Sequence, residues 1–423
     1  MKRIVFSTVG SLGDVHPYVA IGKVLLARGH RPAIATINRY RALIEAEGIE
    51  HALLRPDEAQ FGGLEAVAAK LFDPWSGPAY LIREMVMPFV RQQYEDIASA
   101  SEGADVLVTH PLTMAGPLVC AKTGVPWVSS VLAPASLMSA IDRPLMSSAA
   151  WAHLVRRTGV TPYRFLLSMA DRMARRWERP LSTFRAELGL PPASHAALLQ
   201  GQFSPRLTLA LFPRLIAEPQ KDWPVNTVVT GMPRFDGPPA DPVLQRQLDT
   251  FLAAGTAPIV FALGSSAVMI AGDFWDKAID ASQRLGRRAI LLTGTPLTRD
   301  LPAGVKAFDY LPYSIVFPRA AAVVHQAGIG TLTQALAAGR PQLIVPFAFD
   351  QPDNARRGVE LGVARTIPIR KVTGAGLVRD LSALFADPSY LSNAQTAMAK
   401  IEDGSGRAAD AILDAISGAV NLS

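Results

Sequence analysis

Short runs of aliphatic and β-branched residues, each followed by a glycine turn and a helical pattern, occur in both halves of this chain and leave few folds open. Near the start, "RIVFSTVG" reads as a strand, "SLGDVHP" as its turn, "YVAIGKVLLARGH" as a helix and "RPAIATI" as the next strand. The second half repeats the order with "PIVFALGSS", a helix near Phe274–Leu285, "RAILLTG", and "AAAVVHQ" before a further helix. Continuous apolar strands are covered on both faces, and strands that alternate with helices run parallel. The expected class is α/β, with two doubly wound Rossmann-like domains facing one another across a cleft. "MPRFDGPPADP", Met232–Pro242, is rich in proline and glycine and reads as the linker. A first domain is expected at 1–235 and a second at 241–400, with 401–423 forming a closing helix for which a return to the first domain is one reading, although periodicity does not reveal where it docks.

The 423 residues suit two domains, and 49% hydrophobic against 18% charged residues provides for two cores. The single cysteine, Cys120, excludes an intrachain disulfide, fits a reducing compartment and reads as a small buried hydrophobe. The start lacks the apolar core and cleavage site of a signal peptide, and no stretch reaches the roughly 20 apolar residues of a membrane span. The expected location is cytoplasmic. A net charge of +6 permits an anionic partner, but no nucleic-acid-binding motif accompanies it.

The stretch from Leu71 to Arg185 is helical in pattern and holds seven of the eleven methionines, together with Trp75, Phe89, Trp127 and Trp151. Methionine and aromatic residues make an adaptable apolar surface, and Met85, Phe89, Met114 and Met138 are the candidates for binding a hydrophobic acceptor. A plain core is the alternative for each. Eight arginines lie between Arg156 and Arg185, interleaved with Phe165, Leu166, Met169 and Trp177. A solvated helix face is the commoner reading of such a run, and weak attachment to an anionic membrane surface is the other.

In "HQAGIGT" the glycines let the backbone approach a ligand, and the following helix presents unpaired N–H groups and a positive dipole end, the requirements of a phosphate site. Gly328 and Gly330 read otherwise as a tight turn. His325 reads either as an added donor to a pyrophosphate or as a satisfied core histidine. Downstream, Asp350 and Gln351 of "DQPDN" place an acceptor and a donor side by side, as sugar hydroxyls require. Asn354 reads as a cap of the next helix.

Taken together, H-x-x-G-x-G-T, a helix with A-L-x-x-G-x-P, and D-Q-x-x-N resemble the donor-binding signature of the family 1 glycosyltransferases, which have the GT-B fold. "GSLGDVHP" resembles the acceptor-side loop of the sterol and glycopeptide glucosyltransferases. "DWPVNTVVTGMPRFDG" with "HQAGIG" and "FAFDQPDNA" is similar to the bacterial rhamnolipid rhamnosyltransferase. The resemblance implies that His325 contacts the pyrophosphate together with the backbone of Gly328, Gly330 and Thr331. It implies a hydroxyl from Ser265 or Ser266 on a phosphate, Tyr310 stacked on the base, and Asp350 and Gln351 on the sugar. Gln334 stands where relatives carry a ribose-binding glutamate, and the amide loses charge-assisted strength there.

The implied activity is inverting transfer of a hexose from a nucleotide diphosphate sugar to a hydroxyl of a hydrophobic small molecule. UDP-glucose is the favoured donor, with dTDP-rhamnose and a lipid-like acceptor as the alternative. The nucleotide sugar is a co-substrate, and no cofactor is expected. No D-x-D sequence and no His/Cys cluster of ligand spacing occurs, so metal-independent transfer is expected. The acceptor hydroxyl needs a base. Asp14 is the first candidate, with a helix cap as its alternative reading, and His16 is the competitor. His110 is placed by the resemblance behind Asp14, where relatives with a catalytic histidine carry an aspartate. A nucleotide-sugar epimerase or a non-catalytic partner subunit is the rival class. A dehydrogenase is disfavoured because "GSLGD" does not supply G-x-G-x-x-G.

Overall fold

A computed structural model of the chain describes residues 1–73 and 75–418; residue 74 and the end of the expected closing segment, 419–423, lie outside the described residues. The chain divides into two compact units. The first holds Met1–Pro144, Ala149–Phe235 and the segment from Glu402 onward; the second holds Leu145–Ser148 and Asp236–Ile401. The break falls inside the expected linker.

In the first unit the strands are β1 (Arg3–Ser7), β2 (Arg31–Thr36), β3 (Glu50–Leu53), β4 (Val106–Thr109), β5 (Trp127–Val131), β6 (Thr208–Ala210) and β7 (Thr227–Val229). They form one parallel sheet in the order β3-β2-β1-β4-β5-β6-β7. Ile4, Val5 and Phe6 of the central strand are fully buried, each contributing roughly 1.5–3 kcal/mol by burial. Val5, Ala33 and Leu107 pack with Leu118, Val119, Ile82 and Val90 from helical segments on one face. Cys120 lies in this core, and burial pushes its thiol up to about 12.

Helix α1 (Leu12–Ala27) follows β1 and starts six residues before Tyr18, where the sequence reading begins it. A capping box overrides the turn expected from Pro17. The Ser11 side chain takes the Gly13 N–H, and Asp14 at the third position returns a bond to the Ser11 N–H. Pro17 therefore sits inside the helix. A second helix of this unit, α2 (Val160–Trp177), is long and largely exposed.

The second unit repeats the architecture with β8 (Ile259–Ala262), β9 (Ala289–Leu292), β10 (Val305–Phe308), β11 (Ala322–His325), β12 (Gln342–Ile344) and β13 (Ala364–Thr366). Its parallel sheet has the order β10-β9-β8-β11-β12-β13. Helix α3 (Ile329–Ala337) leaves β11, and α4 (Gln351–Glu360) follows β12. The chain then returns to the first unit as α5 (Ser405–Ser417), which packs on α1 and is joined to it by Arg28 and Asp410 at 2.5 Å. Gly231 and Gly404 cross there backbone to backbone; a Cβ on Gly404 would lie 2.3 Å from the Gly231 carbonyl oxygen.

In each sheet the direction of strand succession reverses once, between β1 and β4 and between β8 and β11. Ligands of open parallel sheets bind outside the carboxyl ends of the strands at such switch points.

Candidate active site

Asp14 and His110 meet at the first switch point. The Ser7 carbonyl at the end of β1 accepts from the His110 N–H at 3.0 Å, drawing the exits of β1 and β4 together. Beyond His110 the chain turns, with Thr113 donating through Oγ1 to the His110 carbonyl at 2.7 Å. Buried Gln93 clamps the turn by donating to the Leu112 carbonyl and accepting from the Ala115 N–H. The Leu112 N–H donates to His110 Nδ1 at 3.3 Å. In the neutral ring this leaves the proton on Nε2, the nitrogen that stands 3.4 Å from Asp14 Oδ1.

The other carboxylate oxygen of Asp14 accepts from the Ser11 N–H at 2.7 Å and the Ser11 hydroxyl at 3.0 Å. Asp14 is thus both a cap and a member of the pair; the two readings of the sequence are not exclusive. Gly10 has φ +136°, and a Cβ there would lie 2.3 Å from Asp14 Oδ2, so the loop folds over the carboxylate only because residue 10 is glycine. His16 is different. It is half-buried, bonded to the Phe235 backbone and packed edge-on against the Phe235 ring at 5.0 Å; desolvation lowers its pKa to about 4. A ring so weakly basic is poorly matched to proton abstraction near neutrality.

At the second switch point the expected role of His325 is corrected. The ring is fully buried, Nδ1 accepts from the Ala327 N–H at 3.1 Å, and Nε2 donates to Gln342 Oε1 at 2.8 Å. Desolvation lowers its pKa to about 4, so it is neutral, and no donor is left for a pyrophosphate. Its work is to shape the turn. Ala327 is held at φ +69°, where an alanine is strained, and its carbonyl accepts from Asn354 Nδ2 at 2.9 Å. Asn354 also donates to Asp350 Oδ2 at 2.7 Å. It lies buried within α4 and ties the two motif loops together, which corrects the expected cap.

The side chain at this crevice belongs to Gln326, which the sequence reading passed over. Successive strand residues face opposite ways, so once His325 points into the core Gln326 faces the other side; alternation was the available signal. A Cβ on Gly264 would lie 2.1 Å from Gln326 Nε2 and one on Gly328 2.9 Å from it, so the amide fits between two glycine turns. Gln326 is 5% exposed and its Oε1 has no partner. Nε2 is 3.5 Å from Thr331 Oγ1, in the first turn of α3. Tyr313 bonds both the Thr331 side chain and the Gly264 backbone, and burial pushes its phenol up to about 12.

Gly328 caps α3 and Gly330 lies in its first turn, beside the free N–H groups of the helix start. Ser265 is exposed and Ser266 half-buried in the short turn after β8, and Gln334 is half-buried on α3. Tyr310 is half-buried, its hydroxyl donating to the Asp236 carbonyl at 2.6 Å. Gln351 turns Oε1 back to the N–H groups of Phe347 and Ala348, so that oxygen shapes its own loop.

The acceptor candidates separate. Met114 belongs to the core of the first unit and Met85 is buried, as the plain-core alternative has it. Phe89 is half-buried against Phe61 at 5.5 Å, and Met138 packs on Ala174, Ala196 and Leu199. Among the described residues no three His, Cys, Asp or Glu side chains stand close enough to hold a metal ion.

Two doubly wound units, each with polar groups gathered at its switch point, are the architecture of the GT-B transferases. Residues 4–89 match the glycosyltransferase family 28 N-terminal domain, and 280–403 match the erythromycin biosynthesis protein CIII-like C-terminal domain. The chain is 32% identical to the O-mycaminosyltylonolide 6-deoxyallosyltransferase of Streptomyces fradiae over 403 residues, covering 93% of this chain and 92% of that one. Glycosyltransferase GtfC of Amycolatopsis orientalis is 28% identical over 423 residues, covering 98% of each. The solved structure of the glycosyltransferase VinC in complex with dTDP superposes with a TM-score of 0.67 at 21% identity, over 98% of this chain and 100% of that one. The chain belongs to this family of GT-B glycosyltransferases and is a hexosyltransferase.

Proposed function

We propose that the protein transfers a hexose from a nucleoside diphosphate sugar to a hydroxyl of an apolar small molecule, with inversion and without a bound metal. The observation that carries this reading is the Asp14–His110 contact at the first switch point. Asp14 takes the proton of the acceptor hydroxyl as its oxygen forms the new bond to the anomeric carbon. The bond from that carbon to the diphosphate oxygen breaks, and the nucleoside diphosphate leaves with the electron pair. His110 keeps its own proton on Nε2, so it orients the carboxylate and does not receive the acceptor's proton.

In the second unit the N–H groups at the start of α3 and the Gln326 amide are suited to the leaving diphosphate. The relative from Streptomyces fradiae is named for transfer of a 6-deoxyhexose, and VinC was solved with dTDP. These names favour a dTDP-activated deoxyhexose alongside UDP-glucose. The first of these names also favours an acceptor of the O-mycaminosyltylonolide kind.

The test is a panel of UDP- and dTDP-hexoses with apolar alcohols, with chromatography of the released nucleotide and the glycoside. Acceptor-dependent nucleoside diphosphate and a glycoside of inverted anomeric configuration, both unaffected by EDTA, are expected. Chelator-sensitive turnover restored by magnesium overturns the metal-free part. Release of an epimerised donor in place of a glycoside overturns the transfer.

A further inference from the structure

Helix α2 (Val160–Trp177) has two apolar faces, and the first unit uses one of them. Tyr163 and Ala174 are buried, and Ala170 packs with Ala174 against Ala196 and Leu199. Asp171 accepts from the Ala196 N–H at 2.8 Å, and Glu178, just beyond the helix, accepts from the N–H groups of Ala197 and Leu198 at 2.7 and 2.8 Å. The helix is therefore held firmly along that side.

The other stripe points to solvent. Phe165, Leu166, Met169 and Met173 are 62%, 40%, 51% and 49% exposed. Their spacing of three and four residues places them on one strip of the helix surface. Exposed Arg172 and Arg176 run along one edge of the strip, with Arg164 and Arg175 further round. The one acid of the helix, Asp171, is occupied by Arg175 and the Ala196 N–H. Single exposed apolar residues are ordinary, but an ordered strip edged by arginine asks for a partner that is apolar inside and anionic at its rim. A second copy of the chain fits poorly, because a two-fold contact through this strip would bring arginines against their own copies.

We propose that α2 is the surface by which this protein rests on an anionic lipid membrane. Phe165, Leu166, Met169 and Met173 enter the acyl boundary, while Arg172 and Arg176 meet lipid phosphates. No helix among the described residues is long and apolar enough to cross a membrane, so α2 lies along the surface. The proposal stands independently of the acceptor's identity.

The full chain is to be cosedimented with phosphatidylcholine vesicles, with and without phosphatidylglycerol, at low and high salt. Binding only to the anionic vesicles, weakened by salt, is expected. Arg172→Glu with Arg176→Glu is expected to weaken partitioning by at least about thirtyfold, the loss of two basic residues at about 1 kcal/mol each at an anionic surface. Phe165→Ser with Met169→Ser is expected to weaken it about tenfold or more. Unchanged circular dichroism melts and unchanged transfer to a water-soluble alcohol identify both variants as folded. No binding of the wild-type chain at low salt overturns the proposal, as does undiminished binding of both folded variants. A concentration-dependent dimer that the Phe165/Met169 variant converts to monomer, without vesicle binding, assigns the strip to a second copy and overturns it as well.

Discussion

The two switch points share one topology and make opposite use of it. Where β1 and β4 part, an aspartate and a histidine from distant segments stand 3.4 Å apart, and the Asp14 side chain keeps 29% of its surface. Where β8 and β11 part, the imidazole of His325 is buried and bonded at both nitrogens, and the groups facing outward are backbone N–H and one amide. On the proposed mechanism, one crevice moves a proton and the other holds an anion without exchanging one. A doubly wound sheet decides where a ligand goes; the residues at the strand exits decide what is done with it.

The sharpest way to break this comparison is Asp14→Asn. The amide keeps the shape and can still accept from Ser11, but it cannot take a proton. Transfer to alcohols is expected to fall by about a thousandfold or more, while binding of the nucleoside diphosphate stays within about twofold. His110→Ala is expected to cost about ten- to a hundredfold, and little more in combination with Asp14→Asn, as for residues acting as one unit. Steady-state rates with a simple alcohol check both. Full activity of Asp14→Asn, or losses that multiply in the double variant, would dissolve the pair.

Much of this contrast is legible in the sequence. The strand runs are short, apolar and punctuated by glycine, so both sheets follow from pattern, and "GSLGDVHP" and "HQAGIGT" mark both switch points. What escapes is direction. His325 points inward because Gln342, on the neighbouring strand β12, offers it an acceptor, and pairing across strands is not written in the local motif. Asn354 looks like a cap until the chain brings the Ala327 carbonyl to it. Methionines spaced along a helical stretch give no sign of which, like Met114, turn into the core and which, like Met169, face water. Pro17 suggests a helix start that the Ser11–Asp14 capping box moves upstream.

His325 sharpens the comparison through pH. Its folded pKa is about 4, against 6.5 for the free imidazole. Between these values the unfolded chain binds a proton that the folded chain refuses, so stability falls as pH drops from 6.5 towards 4 and is level above 6.5. The contribution is roughly 3 kcal/mol across that window. His16, lowered to about 4 in the first unit, acts in the same sense. His325→Gln removes one proton-linked group and is expected to flatten the melting temperature between pH 6.5 and 4.5. At pH 7.5 the variant is expected to be less stable by about 1–3 kcal/mol, because the buried Ala327 N–H loses its acceptor. Thermal melts across pH check this. An unchanged slope would mean that the ring titrates in the folded protein, and the second crevice would then share the proton chemistry of the first.

The smallest expected effect is at Gln326, and it separates binding from stability most cleanly. Its Oε1 is buried without a partner, and its Nε2 has only a long contact to Thr331. An orphaned acceptor costs the free protein stability, and Nε2, held only by that long contact, is the atom able to donate to a diphosphate oxygen when a ligand arrives. Gln326→Met keeps the length and approximate volume while deleting both polar atoms. The variant is expected to melt at the same temperature as the wild type or slightly higher. Its dissociation constant for UDP or dTDP is expected to rise about tenfold, the low end for a hydrogen bond to a charged group, while the free nucleosides, which lack the diphosphate, bind as before. Calorimetric titration of each ligand gives the ratio directly. Equal affinity of wild type and variant for the diphosphates would leave the anion to the α3 N–H groups alone, and a drop in melting temperature would make Gln326 a strut between Gly264 and Gly328.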